Sequence, residues 1–546
     1  MVTGIAPTGG DVPGPAFRGE SALAQESIST PPTGTSTREI ELKLHAEPRH
    51  MARLAGHPLL LGMALGPQVV RRQTTTYYDT SDLRLADRGV ALRVRQEDDD
   101  RVSQTVKTLN CVAAGDTAAI AVRREWDWPL TSELPNLDVL RTGDVAHLIP
   151  PEALPELRAI FATEIRRTTI MASPSPQSII EVAFDVGVVR AGDHVHEVSE
   201  SELELRSGTV GPLFDLALLL QEIVPLRIAS ESKAEAGYRL VTGRPPAPDQ
   251  SEPAALSPAT TVAESFRHVI RHCLRQLLQN EDCALTALAE PGGGDGRAIR
   301  FMRYALRRLR YGLELFEPVI ASPESTAFAS LGRKLARRLE PARDWSMIGP
   351  LLRLSGASLA LGAIVPGTDS AAAREAAVLA SKAIRAADFT TLVLRCGAWL
   401  EQDRWCEGAD EALRRQLARP VADVVGPWLD QVYKRVRKPG YESGHPGELK
   451  RLRRRLRRLH DAADGFRSLF SLSSTRAFLA ALVELRTVVD EIQDLRNGSE
   501  LLRAAGVRLE SAQVGLLERR CQDRLTELPE TWRRFRDAEP FWRRGG

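Results

Sequence analysis

REIELKLH, residues 38–45, alternates charge and hydrocarbon along its length. Successive side chains of a strand point to opposite faces, so Glu39, Glu41, Lys43 and His45 share one face, with Ile40, Leu42 and Leu44 on the other. Two kinds of strand read this way. One turns its charged face to solvent; the other lines a polar cavity with it.

The same parity recurs downstream. Arg93 and Arg95 lie opposite Leu92 and Val94; Lys107 lies opposite Val106; Arg123, Glu125 and Asp127 face away from Trp126 and Trp128. Glu181 and Asp185 share a face in EVAFDVG, and Glu200, Glu202 and Glu204 do so in ESELELR. A solvated surface has little use for several basic rows beside a row of three glutamates, because like charges repel at close range. A bound ligand with its counter-ions accounts for both signs: bases grip phosphate oxygens, and clustered carboxylates hold a hard divalent cation. A barrel closed around that site would carry the charges inside and the apolar faces outward, under flanking helices.

At 546 residues the chain is long enough for two to four domains of about 150 residues each. Charged residues make up 26% and hydrophobic ones 43%, with a mean hydropathy of -0.21, the balance of a soluble globular protein. The formal net charge of +2 hides a segregation of sign along the chain. There is no apolar run of about 18 residues, which argues against a spanning helix. The first residues lack the basic-then-apolar pattern of a secretory signal. Six cysteines (Cys111, Cys273, Cys283, Cys396, Cys406, Cys521) have no CxxC spacing, the usage of free thiols in a reducing compartment. A cytoplasmic location is therefore expected.

Residues 1–36, rich in Gly, Pro, Ser and Thr, are expected to form a disordered tail, and residues 242–261 a Pro-rich flexible linker. Between them, over 37–241, alternating segments separated by turns predict an antiparallel β-barrel. The periodicity of 210–224 predicts a helix packed outside it. From 262 to 540, Ala, Leu and Arg dominate, strand-like alternation ceases, and the pattern predicts an all-α bundle, giving an α+β chain overall. GGGDG at 292–296 lacks the Lys-Ser/Thr ending of a phosphate-binding P-loop and reads as a flexible connection.

The barrel segments resemble the CYTH superfamily, the triphosphate tunnel fold. EIELK looks like its ExExK signature, and TTYYDT, LRLADRGVALRVRQ, TVKTL, RREW, ATEIRRTT, VAFDVGVV, SESELELRSG and SKAEAGYRL follow in the family's order. The resemblance implies hydrolysis of inorganic triphosphate or thiamine triphosphate with Mg2+ or Mn2+, or, in a minority of members, adenylyl cyclase activity. It implies a catalytic Glu39, Glu41 and Lys43. Arg93, Arg95, Lys107, Arg123, Arg167 and Lys233 would bind substrate with Lys43. Glu39, Glu41, Asp185, Glu202 and Glu204 would hold metal or orient the attacking water, with Glu200 and Glu125 as weaker candidates.

In the helical half, RAIRFMRYALRRLRYGLELF (297–316) and ELKRLRRRLRRLHDAADGF (448–466) place bases at matching offsets. Arg300, Arg303, Arg307 and Arg310 correspond to Lys450, Arg453, Arg457 and His460, and Arg308 to Arg458. No acid falls between Gly296 and Leu313 or between Leu449 and His460, so unpaired basic stripes and a polyanionic partner are expected. This half resembles the CHAD domain, a duplicated helical bundle associated with inorganic polyphosphate. LEPARDW matches its first repeat and EIQDLRNGSE in part its second. Arg300 and Lys450 stand where that family has histidines, which keeps the charge positive at neutral pH. Nucleic acid is disfavoured because only Tyr304 and Tyr311 accompany the stripes, too few for base stacking. The expectation is a metal-dependent inorganic triphosphatase with a polyphosphate-binding helical domain. The alternatives are a non-catalytic polyphosphate-binding protein, or a cyclase or thiamine triphosphatase in the same tunnel.

Overall fold

Alternation at period two becomes strand wherever β-branched and aromatic residues supply the apolar half of the pattern. The computed structural model describes residues 35–109, 119–252, 255–290, 296–320, 322–355, 370–437, 445–504 and 506–543. The strands are β1 (Thr35–His45), β2 (Val69–Asp79), β3 (Val90–Glu97), β4 (Val102–Thr108), β5 (Ala121–Leu130), β6 (Arg158–Ser175), β7 (Ser178–Ala191), β8 (His194–Ser207) and the two-residue β9 (Arg227–Ile228). They pair antiparallel in the order β5-β4-β3-β2-β6-β7-β8-β1, and β1 returns to β5 to close an eight-stranded barrel. β9 hangs on β1 at Leu44 and His45.

The barrel is inside-out relative to an ordinary core. Leu42, Leu44, Val182 and Leu203 are fully buried on its outer face, under the helices Pro48–Ala55 and Gly211–Ile223. The second of these lies within the predicted 210–224. Elsewhere on the outside, Leu92, Val106, Trp126 and Trp128 pack with Val139 and Leu140. The charged parity of each strand is thereby left to the lumen.

Among the described residues from Val262 to Asp537 the regular elements are helices, including Val262–Gln279, Arg297–Leu315, Ala387–Glu401, Pro446–Gly465 and Leu472–Ala504. The two Arg-rich helices, Arg297–Leu315 and Pro446–Gly465, bury Leu306, Leu309, Leu452, Leu456 and Leu459 on their apolar sides. Residues 243–261 form no helix or strand among those described, yet they are tied down. Asp249 exchanges two hydrogen bonds with the Asn280 side chain (3.0 and 2.8 Å), Leu256 N–H donates to Ser468 Oγ (2.8 Å), and Glu252 meets Arg467.

The two halves share one apolar cluster that runs from Phe214 to Phe266 and Trp399. Gly397 permits this contact, since a Cβ there would stand 2.4 Å from the Phe214 ring. The five described cysteines are free. Cys111, the 1–34 part of the tail and residues 292–295 of GGGDG lie outside the described residues. No helix among the described residues is long and apolar enough to cross a membrane.

Candidate active site: a closed tunnel of paired charge

The lumen is a cavity of about 480 Å³ lined by residues of β1 to β8 and by Ser232–Ala234. Register explains the lining. Glu39 faces Arg123 across β1 and β5, Lys43 faces Glu202 across β1 and β8, and Arg167 faces Asp185 across β6 and β7. A shift of one residue in any strand would turn its charges into the apolar shell.

Nearly every base in the lumen has an acid. Lys43 Nζ donates to Glu202 Oε1 (2.7 Å) and lies 3.6 Å from Glu41 and 3.8 Å from Glu200. Arg123 donates to Glu41 (2.6 Å) and Arg93 to Glu125 (2.8 Å). Lys107 sits against Glu39 and 3.6 Å from Glu125. Arg167 bridges Asp185 (2.7 and 2.5 Å) and Glu202 (2.5 Å). Burial opposes charge on Lys43, but Glu202, then Glu41 and Glu200, outweigh it and hold the ammonium well above its ordinary range.

Lys233 enters from outside the barrel wall, at the first position of the helix Lys233–Thr242. A cation at a helix N-terminus opposes the helix dipole, so local propensity does not explain it. The tunnel does: Lys233 Nζ lies 2.6 Å from Asp185 and 3.0 Å from Glu202 and also contacts Glu200. Two devices fix its entry. A capping box joins Ser232 and Glu235, and Gly237 lets the helix settle on the Phe161 ring, where a Cβ would come within 2.0 Å.

Arg95 differs from the rest. Its Nε donates to Thr75 Oγ1 (3.3 Å), and it forms no ion pair among the described residues. Burial, followed by the neighbouring Arg93 and Arg167, pulls its guanidinium down to about 10. It is a half-buried cation with no acid of its own, in the lumen of the barrel.

The acids divide into two groups. Carboxylate oxygens of Asp185, Glu200 and Glu202 lie within 4.8 Å of one another, an arrangement that could bind a metal ion. In the second group Glu204 is crowded by Glu39, Glu181 and Glu41. Burial first, then these neighbours, push its carboxyl up to about 8 against the opposing Arg206. Of the five residues that sequence assigned to metal, Asp185 and Glu202 thus fall in one group and Glu39, Glu41 and Glu204 in the other.

Residues 37–238 match the CYTH domain and residues 268–503 the CHAD domain. The chain carries a CYTH domain followed by a CHAD domain. It is 37% identical over 215 residues to the inorganic triphosphatase of Haemophilus influenzae, an alignment covering 37% of this chain and 55% of that protein, so the chain spans about half the length of this curated relative. Among solved structures it is similar to the CHAD domain of the plant Ricinus communis (23% identity, 54% of this chain and 98% of that one, TM-score 0.41). It is also similar to a Hippeastrum adenylyl cyclase candidate with a dominant triphosphatase activity (18% identity, 38% and 96%, TM-score 0.29).

In the CYTH domain the lumen also takes in residues that lie on the charged parity of their strands but are not among those named from sequence. Arg206 continues the Glu200–Glu202–Glu204 row, and Arg71 and Gln73 share the face of Tyr77 on β2. Extending the test by one step in each strand finds them.

In the CHAD domain the expectation of unpaired stripes is corrected. Acids arrive from other turns and helices: Arg303 meets Glu340 (3.0 Å), Arg307 meets Asp461 (2.9 Å), Arg310 lies 3.8 Å from Glu314, Arg453 meets Asp490 (2.5 Å) and Asp494 (2.8 Å), and Arg457 meets Asp490 (2.8 Å). An absence of acids within each stripe could not reveal partners brought by tertiary packing. The stripes do converge: Arg307, Arg308, Arg457 and His460 line one cavity of about 290 Å³, joined by Arg467 and Arg486. Arg300, Arg303, Arg310, Lys450 and Arg453 lie off its lining, and Arg300 and Lys450 form no ion pair among the described residues.

Proposed function

We propose that the CYTH domain is a divalent-metal-dependent phosphohydrolase acting on inorganic triphosphate. The observation that carries this reading is the half-buried Arg95, without an ion pair in a barrel lumen whose other bases are held by acids. A linear triphosphate supplies the missing anion, and its oxygens can also replace carboxylates as partners of Lys43, Arg93, Lys107, Arg123, Arg167 and Lys233. Phosphoryl transfer needs positioning and charge neutralisation more than covalent help, which is what such a lumen provides.

Glu39, Glu41, Asp185, Glu202 and Glu204 are the residues that would hold Mg2+ or Mn2+, whose chemistry there is Lewis-acid neutralisation of phosphate charge. Their oxygen-only donor set and the carboxylate crowding around Glu204 fit a hard cation. Lys43, held protonated, serves as a phosphate counter-ion and not as a base. Glu39 and Glu41 orient the attacking water.

The CHAD domain is read as a polyphosphate-binding module, supported by the cavity where Arg307, Arg308 and Arg457 meet. The test of the main reading is phosphate release from inorganic triphosphate, thiamine triphosphate and ATP, with Mg2+, Mn2+ or chelator. Release from inorganic triphosphate only with a divalent cation is expected. Cyclic AMP from ATP without triphosphate hydrolysis would favour the cyclase, and no turnover of any compound the non-catalytic polyphosphate binder.

A further inference from the structure

The tunnel and the helical domain are joined at a short segment that also carries Lys233. Leu226 C=O, buried, accepts a 2.8 Å hydrogen bond from Thr390 Oγ1 of the helical domain. The next residue, Arg227, reaches two acids of that domain: Nε donates to Glu281 Oε1 (2.6 Å) and Nη2 to Asp282 Oδ1 (2.7 Å). Its backbone belongs to β9 and pairs with His45 of β1. Ala229 N–H then donates to the carbonyl of Lys43 itself (2.9 Å). Four residues further on, Lys233 enters the tunnel and shares Glu202 with Lys43.

Leu226 to Lys233 is thus fastened at its start by the helical domain, in its middle by the Lys43 backbone, and at its end by the tunnel acids. It has little slack. A displacement of Arg227 must pass either to the ammonium of Lys233 or to the strand that carries Lys43.

The chemistry of the fastening is costly. Glu281 is 1% exposed, its second carboxylate oxygen has no hydrogen-bond partner, and burial pushes the carboxyl up to about 7 in spite of Arg227. A well-packed apolar pair would hold two domains together at least as well as a buried ion pair. An ion pair with two fixed hydrogen bonds adds direction, which two merely adhering domains do not need.

We propose that Arg227, clamped by Glu281 and Asp282, is a positioning residue for Lys233 and Lys43, so that the CHAD domain completes the triphosphate site of the CYTH domain. The proposal rests on the triphosphatase reading above. The helical domain is then a structural part of the active site, acting through groups that touch no substrate.

The test is a double-mutant cycle in the full chain, read by kcat and KM for inorganic triphosphate and by calorimetric triphosphate affinity without divalent cation. Arg227→Ala is expected to weaken triphosphate affinity and kcat/KM by about tenfold. In a Lys233→Met background it should add clearly less than tenfold, because one of the two groups that it positions is gone. In an Arg93→Met background the two losses should multiply. General destabilisation of the fold would multiply in both. Thr390→Val, which removes only the donor to Leu226, should show the same pattern at smaller amplitude and serves if Arg227→Ala does not fold. Wild-type-like values for both variants, or losses that multiply with Lys233→Met, would overturn the proposal. Absence of turnover in the wild type would count against the triphosphatase reading alone, since the affinity cycle still decides the positioning role.

Discussion

Arg95→Met should make the protein more stable and the tunnel a poorer anion site. The side chain lies in the lumen with no acid partner, and its guanidinium is pulled about two and a half steps below its ordinary value, to about 10. That fall corresponds to about 3 kcal/mol of unfavourable charge burial at ~1.4 kcal/mol per pK step, and residual solvent contact brings the recoverable part to about 1–3 kcal/mol. Methionine fills similar space without charge and relieves Arg93 and Arg167 of a like neighbour. Bound triphosphate would lose a charged hydrogen bond of about 1.5–3 kcal/mol, roughly a ten- to hundredfold drop in affinity. Thermal unfolding of the ligand-free protein and calorimetric titration with triphosphate, both without divalent cation, give the two numbers. A control variant, Arg167→Met, should lower the melting temperature, because it removes one of the two bases, Arg167 and Lys233, that Asp185 and Glu202 share. If Arg95→Met melts lower than wild type and binds triphosphate equally well, Arg95 is structural and the argument for an anion in the tunnel loses its support.

Three further outcomes follow from the same geometry. Glu41→Gln keeps the shape of a 2%-exposed side chain but removes its charge beside Arg123 and Lys43; phosphate-release assays should show activity falling at least tenfold and half-saturation by Mg2+ moving to higher concentration. Glu281 has a folded-state value of about 7 against an ordinary 4.5, so the unfolded chain ionises first and wild-type stability falls as pH rises from 4.5 to 7, by up to about 3 kcal/mol; melting curves of Glu281→Gln should lack this slope, and parallel pH profiles would refute the assignment. Polyphosphate binding should weaken steeply with salt, and replacing Arg307 and Arg457 together by Gln should cut both affinity and salt slope in a titration at two ionic strengths, whereas an unchanged slope would remove the cavity from consideration.

Much of the tunnel could be read from parity alone, because a strand side chain has two faces and the barrel assigns one of them to the lumen. Glu39, Glu41, Lys43, Arg93 and Arg95 follow from counting in twos. Lys233 does not, since it stands on a helix and reaches the lumen only because Gly237 and the Ser232–Glu235 box set that helix against Phe161. The family resemblance supplied it instead. The division of the acids into an Asp185–Glu200–Glu202 group and a Glu39–Glu204 group was equally hidden, because it depends on which strands become neighbours on closure. On the helices, period and charge located both Arg-rich stripes but could not foresee Asp461, Asp490 and Asp494 as their partners. Nothing local in a sequence records an acid delivered across a helix interface.

Those partners say what kind of ligand each site can admit. Arg95 apart, an incoming anion in the tunnel, as in the helical cavity, meets mostly guanidinium and ammonium groups already neutralised by carboxylates, so beyond that one free base it must displace an acid or share a base with one. A singly charged anion gains little from that exchange, since one ion pair is traded for another at similar distance. A chain of linked phosphates presents several charges at fixed spacing and displaces several acids for the loss of one molecule's translational freedom. On the proposed metal-dependent reading, divalent cations would tip the exchange further in the tunnel, by giving the released carboxylates a new partner. The helical cavity holds Asp461, 5% exposed, between Arg307 and Arg308, and it has no carboxylate trio of the kind formed by Asp185, Glu200 and Glu202 among the described residues. Triphosphate binding in the tunnel should therefore tighten when Mg2+ is added, and polyphosphate binding in the helical cavity should weaken, as the cation competes for the polyanion. Calorimetric titrations of the full chain with each ligand, with and without Mg2+, measure both. Tightening at both sites would show that the displaced acids do not set the difference between them.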